Sequence, residues 1–300
     1  MKLFSNKKII AAVAIGGALI FGGNLPCATA FGNSGVNVSV NVQGSINWNK
    51  GADSDVTAVG ISRPDPRGLA MAREAAIMAA QRNLVGIVQG MQINSMTTMR
   101  DLIIADDNVN RRISGTLRGA QIIEEDMTAD GGYYVKMRVP IYGVGESSIA
   151  AAVIPSIMPN TPQPFNTPNL NNLKPSIIQD VQHAEYSGVI VDASGLGLTE
   201  TFSPVIYDVN GRSIYGIENL QNDALITDIG MVSYSNSVND EIAMNRAGNS
   251  PLIVKAVSVR GGNNSVNKVN TVISAEDADK ILLANEKTHM LENCAVVFVK

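Results

Sequence analysis

The chain has 300 residues, a formal net charge of −4, 17% charged and 5% aromatic residues. An acidic balance argues against non-specific binding to nucleic acid or anionic lipid, and so few aromatic side chains weaken the case for a carbohydrate-stacking surface. The cysteines are Cys27 and Cys294; an exported chain cleaved after Ala30 keeps only the second, so it has no intramolecular disulfide and relies on apolar burial.

The chain opens with Lys2, Lys7 and Lys8, then an apolar run over 9–21, then Ala28, Thr29 and Ala30. That order reads as a signal peptide over 1–30, cleaved before Phe31. The run is short for a membrane-spanning helix, which needs roughly 20 residues. Lipidation at Cys27 is the competing reading, but Asn24, Leu25 and Pro26 make a poor lipobox. Without the three lysines the charge falls to about −7. Export to the periplasm or cell surface is expected, with no transmembrane helix in the processed chain.

Residues 35–148 read as a β-β-α-β-β-β domain. Val36, Val38, Val40, Val42, Ile46 and Trp48 alternate with polar residues, and residues 55–62 can return as a partner strand. Asp65 is a candidate N-cap with Pro66 at the first helical position. Leu69, Ala72, Ala76, Ala80, Leu84, Ile87 and Met91 share one stripe whose small middle predicts a helix lying close on a sheet. Gly90 is expected to end it in a left-handed conformation. Strands are expected over 93–99 (extended by 101–104), 112–124 and 133–141, the last two joined at Asp130, Gly131 and Gly132 by a hairpin turn. One long helix packed on an antiparallel sheet is an α+β layer.

Six prolines within 149–175 predict an extended Pro/Asn-rich linker. A second α+β domain follows over 176–300. Its expected strands are 187–193, 204–207, 212–215, 252–259, 269–273 and 295–299; Asn210 and Gly211 mark a hairpin, 240–246 a short helix, and Ser274 with Asp277 a capping box opening a helix through Ala284.

No catalytic, cofactor or metal constellation emerges. His183 and His289 lack partners at ligand spacing. Cys294 adjoins an apolar strand and reads as a buried, inert thiol. Ser194, Gly195, Leu196 and Gly197 form a turn after a strand rather than a phosphate loop. Asp106 with Asp107, and Glu124 with Glu125 and Asp126, read as solvated loop ends without calcium-loop order. Arg63, Arg67, Arg73, Arg82, Arg111, Arg112 and Arg118 are dense for so acidic a chain. Arg111, Arg112 and Arg118 are the candidate partner-binding residues.

The run Gly68 to Ala76, then Ala80 to Leu84, Gly115 to Ala120 and Gly132 to Val135, resembles the bacterial 20-kilodalton surface lipoprotein family and the N-terminal domain of flagellar assembly protein T. The resemblance covers about residues 44–143. It implies a non-enzymatic envelope protein near flagella or the outer membrane, whereas this chain departs from the family in its lipobox. The second half looks like the partner domain of exported uncharacterised bacterial proteins. The expected function is binding of other envelope proteins or envelope components, without nucleic acid or cofactor. The alternative is an exported protein holding a small molecule or glycan between its domains.

Overall fold

Small residues every third or fourth position let a helix lie flat on a sheet, and α1 (Leu69–Gln89) does so. The computed structural model describes residues 43–49, 51–143, 147–261 and 267–300; the expected leader over 1–30 and the start of the first expected strand over 36–42 lie outside them. β1 (Gly44–Asn47) and β2 (Asp55–Ser62) precede α1. β3 (Gln121–Met127) and β4 (Tyr133–Pro140) come later in the chain. Together they make an antiparallel sheet in the order β1-β2-β4-β3. Ala72, Ala76, Ala80, Leu84 and Val88 are the buried stripe of α1, and Ala76 and Ala80 pack with Val135 and Met137. At Gly60 a Cβ would stand 2.0 Å from the Ala76 carbonyl oxygen. Only glycine permits this approach, and the expected α+β layer is present.

Several local expectations give way. Asp65 does not cap α1: its carboxylate accepts from the Arg67 backbone and guanidinium, and Gly68, φ 111°, precedes the helix instead. Gly90 ends α1 in the right-handed region at φ −81°. Residues 93–98 are a turn, not a strand, because Asn94 Oδ1 accepts from the Met96 and Thr97 amides, and the extension expected over 101–104 is helical. Thr98 and Asp101 then form a capping box that opens α2 (Met99–Ala105). Asp106 accepts from the Asn108 and Val109 amides and opens α3 (Asp107–Arg118), so the strand expected over 112–124 is helical to Arg118 and only then becomes β3. Ile113 and Leu117 share a face at a period of two or of four. Val109, one turn earlier and also buried, decides for the helix.

The stretch 149–175 is not an extended linker. It begins with α4 (Ile149–Ile157), capped by Ser148 Oγ, with Ile149, Ala150, Ala152, Val153 and Ile154 buried. The remainder, as far as α5 (Pro175–His183), is a strap tied to the second half. Gln163 donates its amide to Glu218 O (2.7 Å), and Asn166 Nδ2 donates to Ser213 O (2.6 Å). Asn169 N and Asn172 Nδ2 donate to the fully buried carboxylate of a later helix, Asp279, at 2.9 and 2.7 Å.

The second half continues with β5 (Gly188–Asp192), β6 (Ile206–Asp208), β7 (Ser213–Tyr215), α6 (Asp223–Ile229) and β8 (Ser233–Ser235). It closes with α7 (Glu241–Ala247), β9 (Pro251–Arg260), β10 (Asn270–Ile273), α8 (Ala275–Thr288) and β11 (Val296–Val299). The strands form one mixed sheet in the order β7-β6-β10-β9-β5-β11-β8, parallel at β5–β9, β5–β11, β8–β11 and β6–β10. The hairpin at Asn210 and Gly211 (φ 85°) and the Ser274 cap are as the sequence predicts; α5, α6 and β8 are additions. α7 covers Ile190, Val297 and Val299 on one face, and α8 belongs to the main core.

The halves share that core. Trp48 meets Phe202, Tyr234 and Tyr142 with ring centroids 5.1, 6.0 and 6.2 Å apart. Ser203 N donates to Ile93 O (2.8 Å) and Gly143 N to Thr227 O (3.0 Å). The described residues fall in one compact unit, so the expected boundary is a packed junction. Among them no helix is long and apolar enough to cross a membrane.

Candidate functional site

Two recesses stand out, one in each half. The first, about 270 Å³, lies between α1 and α3. Its floor is Val85, Val88, Ile103, Ile113 and Leu117; Gln81, Gln89, Asn110, Ser114 and Arg118 complete the wall. Arg111 sits seven residues before Arg118, two helical turns along the same face. Both are exposed, and the Arg111 guanidinium donates to Asn108 Oδ1 at 2.9 Å. Beside this groove the outer stripe of α1 leaves Met71, Met78 and Val85 exposed at seven-residue intervals, with exposed Arg82 among them.

Arg112 faces elsewhere. Half-buried, it donates to Asn108 O and to Ser156 Oγ on α4, both at 3.3 Å, and Ser156 Oγ in turn donates to Asp106 Oδ2. The Asp106 carboxyl is held below the usual range by the Asn108 amide, then the Ser156 hydroxyl, with a smaller contribution from Arg112. The structure therefore separates the predicted trio: Arg118 lines the groove, Arg111 lies exposed two turns before it on α3 outside the lining, and Arg112 joins α3 to α4. Of the other arginines, Arg67 is paired with Asp65 and Arg73 with Glu125. Glu124, Glu125 and Asp126 lie within edge strand β3, not at a loop end.

The second recess, about 590 Å³, is walled by strap residues 162–167, by Asn219 to Asn222, by Leu282, Asn285 and Glu286 of α8, and by His289 and Glu292. Phe165 stacks on Tyr215 at 6.5 Å with planes 5° apart. Asn219 is 9% exposed; its Nδ2 donates to the Gln163 and Pro164 carbonyls, and its Oδ1 has no hydrogen-bond partner. His289 caps α8 in the left-handed conformation, φ 51°, with Nδ1 3.4 Å from Glu292 Oε1. Sequence reasoning missed this wall, except for singling out His289.

Elsewhere, His183 lies exposed on α5 with Nδ1 2.6 Å from Gln179 O. Cys294 is buried, and burial raises its thiol pKa. Ser194 closes a turn on Asp192 through its amide and hydroxyl, as expected, with Gly195 and Gly197 at positive φ. Arg246 is enclosed: its guanidinium donates to the carbonyls of Cys294, Ile229 and Gly230, a cation at the C-terminus of α6. Among the described residues no group of three or more His, Cys, Asp or Glu could hold a metal ion.

Residues 188–300 match the family model for the second domain of Treponema pallidum Tp0624. The match spans β5 to β11 but not the strap, so the wall of the larger recess lies partly inside it and partly outside. No curated protein matches the chain.

Proposed function

We propose that the chain is an exported, non-enzymatic cell-envelope protein that works by binding other envelope proteins through the α1–α3 face. The observation that carries this reading is an apolar groove with arginine at its border, on a chain of net acidic charge. Contiguous exposed apolar surface edged by polar groups marks interaction sites. The guanidinium is the cation best fitted to hold a carboxylate at such a rim. The partner is accordingly a protein segment with apolar and acidic side chains. The resemblance of residues 44–143 to the 20-kilodalton surface lipoproteins and to the N-terminal domain of flagellar assembly protein T supports an envelope setting, with flagellar or outer-membrane assembly as its context. The leader over 1–30 supports export.

Fractionation of cells tests this. Wild-type protein should co-sediment with envelopes at low salt. The double variant Arg111→Glu with Arg118→Glu should be released at least tenfold more readily at an unchanged melting temperature. Arg112→Ala should lower the melting temperature instead. Undiminished envelope association of the double variant overturns the assignment of the face. N-terminal sequencing that begins at Phe31 supports cleavage after Ala30; a lipid-modified Cys27 would replace it with membrane anchoring.

A further inference from the structure

The mixed sheet of the second half is covered unequally on its two sides. One side carries the main core, into which Leu252, Val254 and Ala256 of β9 point. On the other, α7 packs over β5, β8 and β11. The next strand on that side is β9, the fourth of the seven. Its register sets Ile253 beside Ile190 and Lys255 beside Asp192. Yet Ile253 and Val257 are 51% and 54% exposed, and Lys255 between them is exposed too. Farther along, Ser258, Val272 of β10 and half-buried Tyr207 of β6 lie side by side. The Arg260 guanidinium stands 3.5 Å from the Tyr207 ring centroid. Since β9 pairs parallel with β5, it belongs to the kind of strand that is ordinarily covered on both faces. A central strand with two bare β-branched side chains on one face departs from that rule. Contiguous exposed apolar surface edged by polar groups marks an interaction site.

From these features we infer that the face of β9, β10 and β6 is a second docking surface, which takes an acidic amphipathic helix of a partner protein beside α7. The neighbouring strands indicate the kind of element, because a helix already covers the same face of β5 and β11. A helix with one apolar stripe and a sheet with one apolar face bury each other. Ile253 and Val257 are four residues apart, roughly 13 Å of strand, which is the rise of about nine helical residues. Two turns of an apolar stripe therefore cover both. The charges indicate the sign of the partner. Lys255 and Arg260 are exposed cations, whereas Asp192, the carboxylate beside Lys255, is engaged by the Ser194 amide and hydroxyl. Acidic flanks on the helix complement these cations and fix its register. A second copy stacked on this face brings the same two cations to the contact.

Methyl NMR of the full chain tests the inference with a synthetic probe. The probe is a helix of about 18 residues with leucine at i, i+4, i+7 and i+11 and glutamate on both flanks; its counterpart has lysine for glutamate. The acidic helix should shift the methyl signals of Ile253 and Val257 and bind at least tenfold more tightly than the lysine helix at low salt. Lys255→Glu with Arg260→Glu should reverse that preference. Ile253→Thr with Val257→Thr keeps the β-branched shape that strands favour; it should weaken binding about tenfold at an unchanged melting temperature. Equal binding of the two helices, or shifts confined to Val85 and the α1–α3 groove, would overturn the inference. So would a lowered melting temperature in the threonine variant, since the face would then be covered by this chain's own residues. A concentration-dependent dimer abolished by that variant would give the face to a second copy instead. Arg111→Glu with Arg118→Glu should leave the Ile253 and Val257 shifts intact, so failure here and failure of the envelope reading are separately visible.

Discussion

The two halves of the molecule solve the problem of a core differently. In the first, close approach of small residues does the work: Gly60, Ala76 and Ala80 bring α1 onto the sheet. Large apolar side chains are left over and point outward, Met71, Met78, Ile104, Ile123 and Met127 among them. In the second, polar groups go inside with partners. Asp208 and Asp279 share Arg212 at 3.1 and 2.7 Å, and Asn270 and Asn285 are buried and hydrogen-bonded. Small-residue packing is indifferent to what lies on the outer face of the helix, so that face is free to serve a partner. Buried polar networks fix geometry and can leave a shaped recess.

The largest effect should come from breaking the polar network. Asp279→Ala leaves Arg212 with Asp208 as its remaining carboxylate partner and orphans the Asn169 amide and Asn172 Nδ2. Because Arg212 keeps one partner, the loss should fall near the lower end for a buried pair, about 3 kcal/mol by urea unfolding. The strap should then open: thermolysin should leave the wild type intact between 158 and 174 and cut the variant near Phe165 or Leu170. Rapid cutting of the wild type there would restore the spacer interpretation. Next in size is overpacking under α1. Ala80→Leu should destabilise by about 1–3 kcal/mol, whereas Gln81→Leu, partly exposed in the groove wall, should be nearly neutral. Equal melting temperatures for the two would mean the helix–sheet approach is not what specifies the first half.

Legibility in the sequence follows the same divide. Strands β5, β9 and β11 were readable because runs such as Val189 to Val191 are β-branched and bounded by turn residues. The helix α1 was readable from its period. Residues 93–124 were not, because Ile113 and Leu117 satisfy both periods and the deciding caps, Thr98 with Asp101 and Asp106, use residues that also read as loop. In α4, Pro155 and its proline-rich surroundings outweighed the signal of Ile149 to Ile154. β8 spans three residues and exists only by pairing with β11. The site was least legible. The exposed Arg118 could be anticipated from composition, but the strap is fixed by asparagines whose partners lie 47 to 110 residues away. No local pattern announces Asn219.

A third prediction concerns whether the halves are separable. Trp48 is the only tryptophan and sits at their shared aromatic core. Its fluorescence and the far-UV circular dichroism should change at the same urea concentration, as for one cooperative unit. Two resolved transitions would divide the molecule at that core.

The smallest expected effect isolates one cap within the polar half. Asp240 opens α7 and accepts from Ser235 Oγ, Ala243 N and Asn236 N. Burial pushes its carboxyl up, but these hydrogen bonds, led by Ser235, more than offset it and hold the pKa below the ordinary 3.8. A depressed carboxylate stabilises the fold above its unfolded-state value and loses that contribution as pH falls through the folded-state value. Asparagine also caps helices well, so Asp240→Asn should cost less than about 1 kcal/mol near neutral pH. The gap between variant and wild type should close as pH drops below about 4. A gap in melting temperature that stayed constant down to about pH 3 would show that the charge on Asp240 contributes nothing and that its hydrogen-bond geometry alone holds α7.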